Sequence, residues 1–327
     1  MHRNHQARGV TRAPAVLFAA PLRRRIATAA AVAAATVAGA CSDTTGPSSP
    51  ARLAPPPSAP LALAVGGNTI VFQRDSAGVS GIYTMNDDGT NLTRLREGER
   101  PAWSPDHSKI VFEASNTVFI MNADGTGAKP LTGVAGDRMP SFNGDGTKVV
   151  FAHDNDKTGN SEIFIVNADG TNRQLLAKVA KMSLNAPRIS PDGTKLAVQA
   201  ARRINSAIIV VDLETRRRTV VADSPDNEQL AAWSPDSKRL AFLTGRLDKG
   251  ECIGIVNADG TGLRTFTNDV AFCSTVSWSP DGTELAFTSI TAGTTGIYRA
   301  PVDVAGAPTR LTTPSAAALD VKLSWTR

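Results

Sequence analysis

Between Asp154 and Glu162 the sequence DNDKTGNSE spaces oxygen-bearing side chains in a way that suits a hard cation. Asp154, Asp156, Thr158 and Glu162 fall at positions 1, 3, 5 and 9 of a calcium-loop pattern, with Gly159 at the sharp bend. The same residue types also make good turns, so calcium and a plain loop both remain open. No other cofactor or metal is indicated. Beyond residue 40 the chain has two histidines, His107 and His153, without the spacing of a zinc site. A G-x-S-x-G nucleophile elbow is missing as well. No catalytic residues are assigned, and the chain reads as non-enzymatic.

The 327 residues carry 35 Lys and Arg against 30 Asp and Glu, with a pI near 9.3. Six of the arginines lie within residues 1–40, which contain no acid. Without them the chain is close to neutral, so the basicity belongs to the leader. Arg202, Arg203, Arg216, Arg217 and Arg218 form two basic runs. With two tyrosines in the whole chain no stacking platform supports nucleic-acid binding.

The leader runs from RRR at Arg23 through fifteen small or apolar residues, Ile26 to Ala40, as an export signal does. That stretch is too short and too weakly apolar to span a bilayer comfortably. Its end, AGAC at Cys41, resembles the lipobox of bacterial lipoproteins, which implies a lipid on Cys41; ordinary signal cleavage is the alternative. Ser42 after the cysteine implies the outer membrane under that family's sorting rule. Residues 41–65 are rich in Pro, Ser and Ala and read as a flexible tether.

The rest of the chain is periodic. WSPD-like words place Trp103, Phe142, Ile189, Trp233, Trp278 and Trp325 at steps of 39, 47, 44, 45 and 47 residues. All four tryptophans occupy this one position. NADGT-like words at Asn86, Asn122, Asn167 and Asn257, with Asp212 filling the gap, repeat with nearly the same period. Each repeat reads as four short strands: one ending at the anchor, an SPDG turn, a second strand nine residues on, a third strand, an Asp-Gly hairpin and a fourth. Four-stranded units at this period predict an all-β, six-bladed β-propeller over residues 66–327. The last copy stops at LSWTR, and GGNTIVFQRD at Gly66 is a second strand lacking a first. The C-terminal strand therefore joins the N-terminal blade and closes the ring.

The words SWSPDGTELAF, EIFIVNADGTN and PLTG closely resemble the WD40-like (PD40) repeat of the TolB propeller family, over about residues 66–327. TolB itself carries an α/β domain before its propeller and works in the cell envelope with a lipoprotein; this sequence has a linker there. The resemblance implies an exported, lipid-anchored module facing the periplasm or cell exterior that binds an envelope protein or peptide as a monomer, touching the membrane through its lipid alone. A polysaccharide-binding or polysaccharide-degrading propeller is the alternative.

In such a ring Cys252 and Cys273 lie at the same end, which suits a disulfide in an exported protein; two buried thiols are the other reading. The crossings before each first strand would rim the channel and offer Glu99, Arg100, Asp137, Arg138, Asn185, Glu228, Asp320 and Lys322 as candidate binding residues. Plain solvent exposure would explain the same polarity.

Overall fold

The computed structural model describes residues 16–18, 69–225, 227–245, 253–266, 273–291, 294–303, 307–314 and 318–326. After a three-residue strand β1 (Val16–Phe18), the strands fall into six antiparallel sheets. Blade one contains β2 (Thr69–Ser76), β3 (Val79–Asn86) and β4 (Thr93–Glu97). Blade two is β5 (Glu99–Trp103), β6 (Lys109–Ala114), β7 (Thr117–Asn122) and β8 (Lys129–Pro130). Blade three is β9 (Asp137–Phe142), β10 (Lys148–Asn155), β11 (Asn160–Asn167) and β12 (Gln174–Val179). Blade four is β13 (Ser183–Ile189), β14 (Lys195–Ala201), β15 (Ser206–Asp212) and β16 (Arg218–Ala222). Blade five is β17 (Gln229–Trp233), β18 (Arg239–Leu243), β19 (Ile253–Asn257) and β20 (Arg264–Phe266). Blade six is β21 (Cys273–Trp278), β22 (Glu284–Thr291), β23 (Thr294–Pro301) and β24 (Thr309–Arg310).

The ring closes as the repeat count requires. β25 (Ala318–Thr326) pairs with β2 from Thr69↔Thr326 to Ser76↔Ala318 and becomes the innermost strand of blade one. Closure occupies an inner edge of β2 that would otherwise present unpaired backbone groups. Blade three departs from four strands. The outer edge of β12 is taken by β1, which pairs with it from Val16↔Val179 to Phe18↔Ala177.

Turn chemistry explains why the words recur. In SPDG-type turns a buried serine hydroxyl donates to the aspartate two residues on and accepts the N–H five residues on, as Ser104 does with Asp106 (2.6 Å) and Lys109 (2.9 Å). Ser190, Ser234 and Ser279 repeat the arrangement. Blade three has Asn143 instead, whose amide supplies both functions: Nδ2 donates to Asp145 and Oδ1 accepts from Lys148. The proline missing from that turn has a steric cause. Gly144 lies so close to blade four that a Cβ there would sit 1.8 Å from the carbonyl oxygen of Pro191.

Each sheet has two apolar faces, and six hydrophobic clusters fill the interfaces between neighbouring blades. Between blades four and five, Ile208 and Val210 meet Trp233, Leu240 and Phe242. At the closure, Ala286 and Ile297 meet Ile70, Phe72, Leu323 and Trp325. The residues nine places after each anchor, Phe112, Phe151, Val198, Phe242 and Phe287, are buried in these layers, as is Phe72. Indole N–H groups tie blades together: Trp233 Nε1 donates to the Arg188 carbonyl at 3.0 Å and Trp278 Nε1 to the Ala232 carbonyl at 3.1 Å.

Candidate functional site

The six innermost strands line one central cavity of about 440 Å3. Its wall is built in layers fixed by the repeat. The residue just before each anchor lines the cavity in every blade. Five of these are small: Ala102, Ser141, Ala232, Ser277 and Ser324; the sixth is Arg188. Two places earlier come Arg100, Met139, Ala186, Thr275 and Lys322.

That second layer rests on a recurring irregularity. In all six blades the pairing of the first and second strands shifts register just before the anchor. Arg100, Met139, Ala186 and Lys322 take left-handed φ values of 47°, 56°, 46° and 51°. Such bulges re-aim side chains at strand ends and cost backbone energy that the surrounding structure must offset. Here Gln73 Oε1 accepts the Arg100 N–H at 3.0 Å, and Glu113 accepts the Met139 N–H.

The wall is electrically one-sided. Among the described residues lining the cavity, Arg100, Arg188 and Lys322 are cationic and none is acidic. Arg100 is neutralised by Glu113, its Nη1 lying 2.7 Å from Oε2. Burial raises the Glu113 pKa despite that partner. Lys322 is pulled below the ordinary lysine value by burial and then by the charge of Arg100. Arg188 keeps some solvent access through the channel, but the surrounding protein desolvates its guanidinium and lowers its pKa to about 10. Its Nη1 donates to the Pro187 carbonyl at 2.9 Å, and no ion pair to Arg188 is present among the described residues.

The expected rim is only partly assembled. Arg100 and Lys322 reach the channel, and Glu99 is solvent-exposed. Arg138 and Asn185 belong to a network beside the wall: Arg138 grips Asp154 with two nitrogens and donates to Ser161 and Asn185. Asp137, Glu228 and Asp320 are not rim residues. They lie 1%, 3% and 0% exposed. Asp137 takes His153 and Arg173, while Asp320 takes Arg74 and Thr312.

The calcium-like segment is a hairpin, and the ligands are not brought together. Asp154 pairs across the strands with Ser161, and His153 pairs with Glu162. Adjacent strand residues face opposite sides, so Asp154 and Glu162 point apart. Asp154 already binds Arg138, and Asp156 and Thr158 lie at the hairpin tip. No group of three metal-ligating side chains occurs among the described residues. His107 stacks on Trp103 at 5.3 Å. Cys273 is disulfide-bonded, whereas Cys252 and Cys41 lie outside the described residues. No sequence motif marks Arg188 or Glu113. A column comparison of the residue before each anchor would have found Arg188, one large cation among Ala and Ser.

Six antiparallel sheets closed around a central channel define a six-bladed β-propeller. The chain belongs to the TolB beta propeller domain family (PD40), which matches residues 155–325. A Protein TolB homolog of Chlorobium luteolum is 30% identical over 153 residues, 47% of this chain and 34% of that protein. TolB from Acinetobacter baumannii superposes with a TM-score of 0.68 at 16% identity, covering 79% of this chain and 66% of that one. Oligogalacturonate lyase from Vibrio parahaemolyticus gives a TM-score of 0.51 at 17% identity, covering 76% and 74%. The chain thus aligns with less than two thirds of both TolB relatives.

Proposed function

We propose that this chain is a non-enzymatic, exported binding module whose channel receives a segment of an envelope protein or peptide. The observation that carries this reading is the bulged layer of the wall. Arg100, Met139, Thr275 and Lys322 are aimed into one channel by strand ends held in a rigid ring, whereas the Asp-Gly turns at the opposite end are near copies of one another. Diverse side chains on a fixed scaffold suit selective recognition. In this reading residues 1–40 direct export, Cys41 carries a lipid into the outer membrane, residues 41–65 hold the ring away from it, and the protein acts as a monomer.

Capture from envelope extract tests the reading, with the full-length protein in detergent as bait. Lys322→Glu is the diagnostic variant, because Lys322 lines the channel outside the ion pairs that hold Arg100 and Arg138. The wild type should retain a discrete protein that Lys322→Glu releases. Retention of an acidic glycan in place of a protein, or equal retention by both baits, contradicts the proposal. Cys41→Ala should move the protein from the membrane to the soluble fraction; a processed form that stays in the membrane argues against the anchor.

A further inference from the structure

We infer that the channel selects its ligand by a carboxylate, with Arg188 as the receptor and Lys322 as a second cation two strand positions nearer the mouth; the bound segment is an acidic stretch of a polypeptide. This inference rests on the channel-binding function proposed above and specifies what the channel reads.

Three independent features lead there. The first is composition: the cavity wall holds Arg100, Arg188 and Lys322 with no acidic side chain among its described residues, and the nearby Glu113 forms its ion pair with Arg100. The second is the column of residues to which Arg188 belongs. Its five counterparts are Ala or Ser, so nothing bulky crosses the lumen opposite the guanidinium. A propeller needs no arginine there to close, as the other five blades demonstrate. The third is an excess of donors. Arg188 spends its one direct protein hydrogen bond on the Pro187 carbonyl. A guanidinium offers five N–H donors in a planar fork whose geometry matches a carboxylate, and an ionised carboxylate only accepts.

A polypeptide fits this cavity better than a sugar chain. Sugar rings lie against exposed aromatic faces, and here the aromatic residues of the wall, Trp103, Phe142, Trp233, Trp278 and Trp325, are packed between blades and at most 8% exposed. The lumen instead combines small side chains, Met139 and a ring of prolines at Pro105, Pro191, Pro235 and Pro280. A volume of about 440 Å3 admits an extended segment of a few residues.

The test is selection of a random hexapeptide library on the full-length protein, repeated with Arg188→Met and Arg188→Lys, with digalacturonate titrated separately by tryptophan fluorescence. Wild-type protein should enrich Asp or Glu at one position. Replacing that residue by its amide should weaken the selected peptide about 10- to 100-fold, the range of a charge-assisted pair. Arg188→Met should abolish the preference for acid over amide, and Arg188→Lys should retain part of it. Enriched peptides without an acid, or an acid preference that survives in Arg188→Met, overturn this inference and leave the peptide-binding function standing. Tight, Arg188-dependent binding of digalacturonate with no peptide enrichment overturns both.

Discussion

An arginine kept in a wall that closes without it should cost stability, and that cost can be measured. Desolvation lowers the Arg188 pKa from the ordinary arginine value to about 10. At about 1.4 kcal/mol for each tenfold change, this corresponds to a penalty of about 3 kcal/mol for holding the charge in place. Channel water and the Pro187 carbonyl relieve part of it, so Arg188→Met, which keeps the stem and removes the charge, should stabilise the fold by about 1–3 kcal/mol. For a domain of this size that raises Tm by roughly 3–8 °C. The pH dependence has a definite sign. A basic group with a depressed folded pKa destabilises while it is charged, and the penalty begins to fall as pH rises through about 10 and is gone only above the higher unfolded value. The variant's advantage should therefore be constant from roughly pH 6 to 9 and shrink above that range. Differential scanning calorimetry and urea unfolding of the two proteins at several pH values provide the assay. A variant that melts at or below the wild type would refute the reasoning, because it would mean that the guanidinium is well solvated or structurally needed.

Three further outcomes follow from the packing and the turns. Trp325→Ala should cost about 3–5 kcal/mol, as much as Trp278→Ala, because the closing strand carries a core residue like any other; a near-neutral Trp325→Ala in urea unfolding would disprove a packed closure. Gly144→Ala should destabilise strongly and by far more than Gly193→Ala, since the added Cβ meets the Pro191 carbonyl oxygen while Gly193 has open space; equal melting temperatures would contradict the steric account. Asp88, Asp124, Asp169 and Asp259 are held below the usual carboxylate range by the hydroxyl and then the backbone N–H of the threonine two residues on. A depressed carboxylate stabilises the fold above its unfolded value of about 3.9 and loses that contribution as pH falls through the folded value, so the urea midpoint should drop below roughly pH 4, and Thr126→Val with Thr171→Val should flatten the drop.

Much of this architecture was legible in the sequence because the blade words are tied to geometry. A Ser-Pro-Asp-Gly turn needs its hydroxyl, a hairpin needs its glycine, and the anchor and the residue nine places on fill one interface, so the period exposed six blades and the broken word at the C-terminus exposed the closure. The site was less legible. Polar letters in the crossings suggested a rim, but the register shift before each anchor decides which of them face the lumen. It brings Arg100 and Lys322 to the channel and leaves Asp137, Glu228 and Asp320 buried. The calcium-like spacing failed for a related reason: a hairpin turns linear spacing into alternating faces, which separates Asp154 from Glu162. Arg188 lay inside a strand, where loop-centred reading does not look, although its column of Ala and Ser was present throughout.

The most direct test of the channel as the binding site is photo-cross-linking in cells, with a benzophenone side chain placed at Ser324 in the lumen or at Leu263 on the exposed face of the blade-five hairpin. A discrete protein adduct is expected from position 324 and none from position 263. An adduct from position 263 alone would place recognition outside the channel and contradict the proposed site.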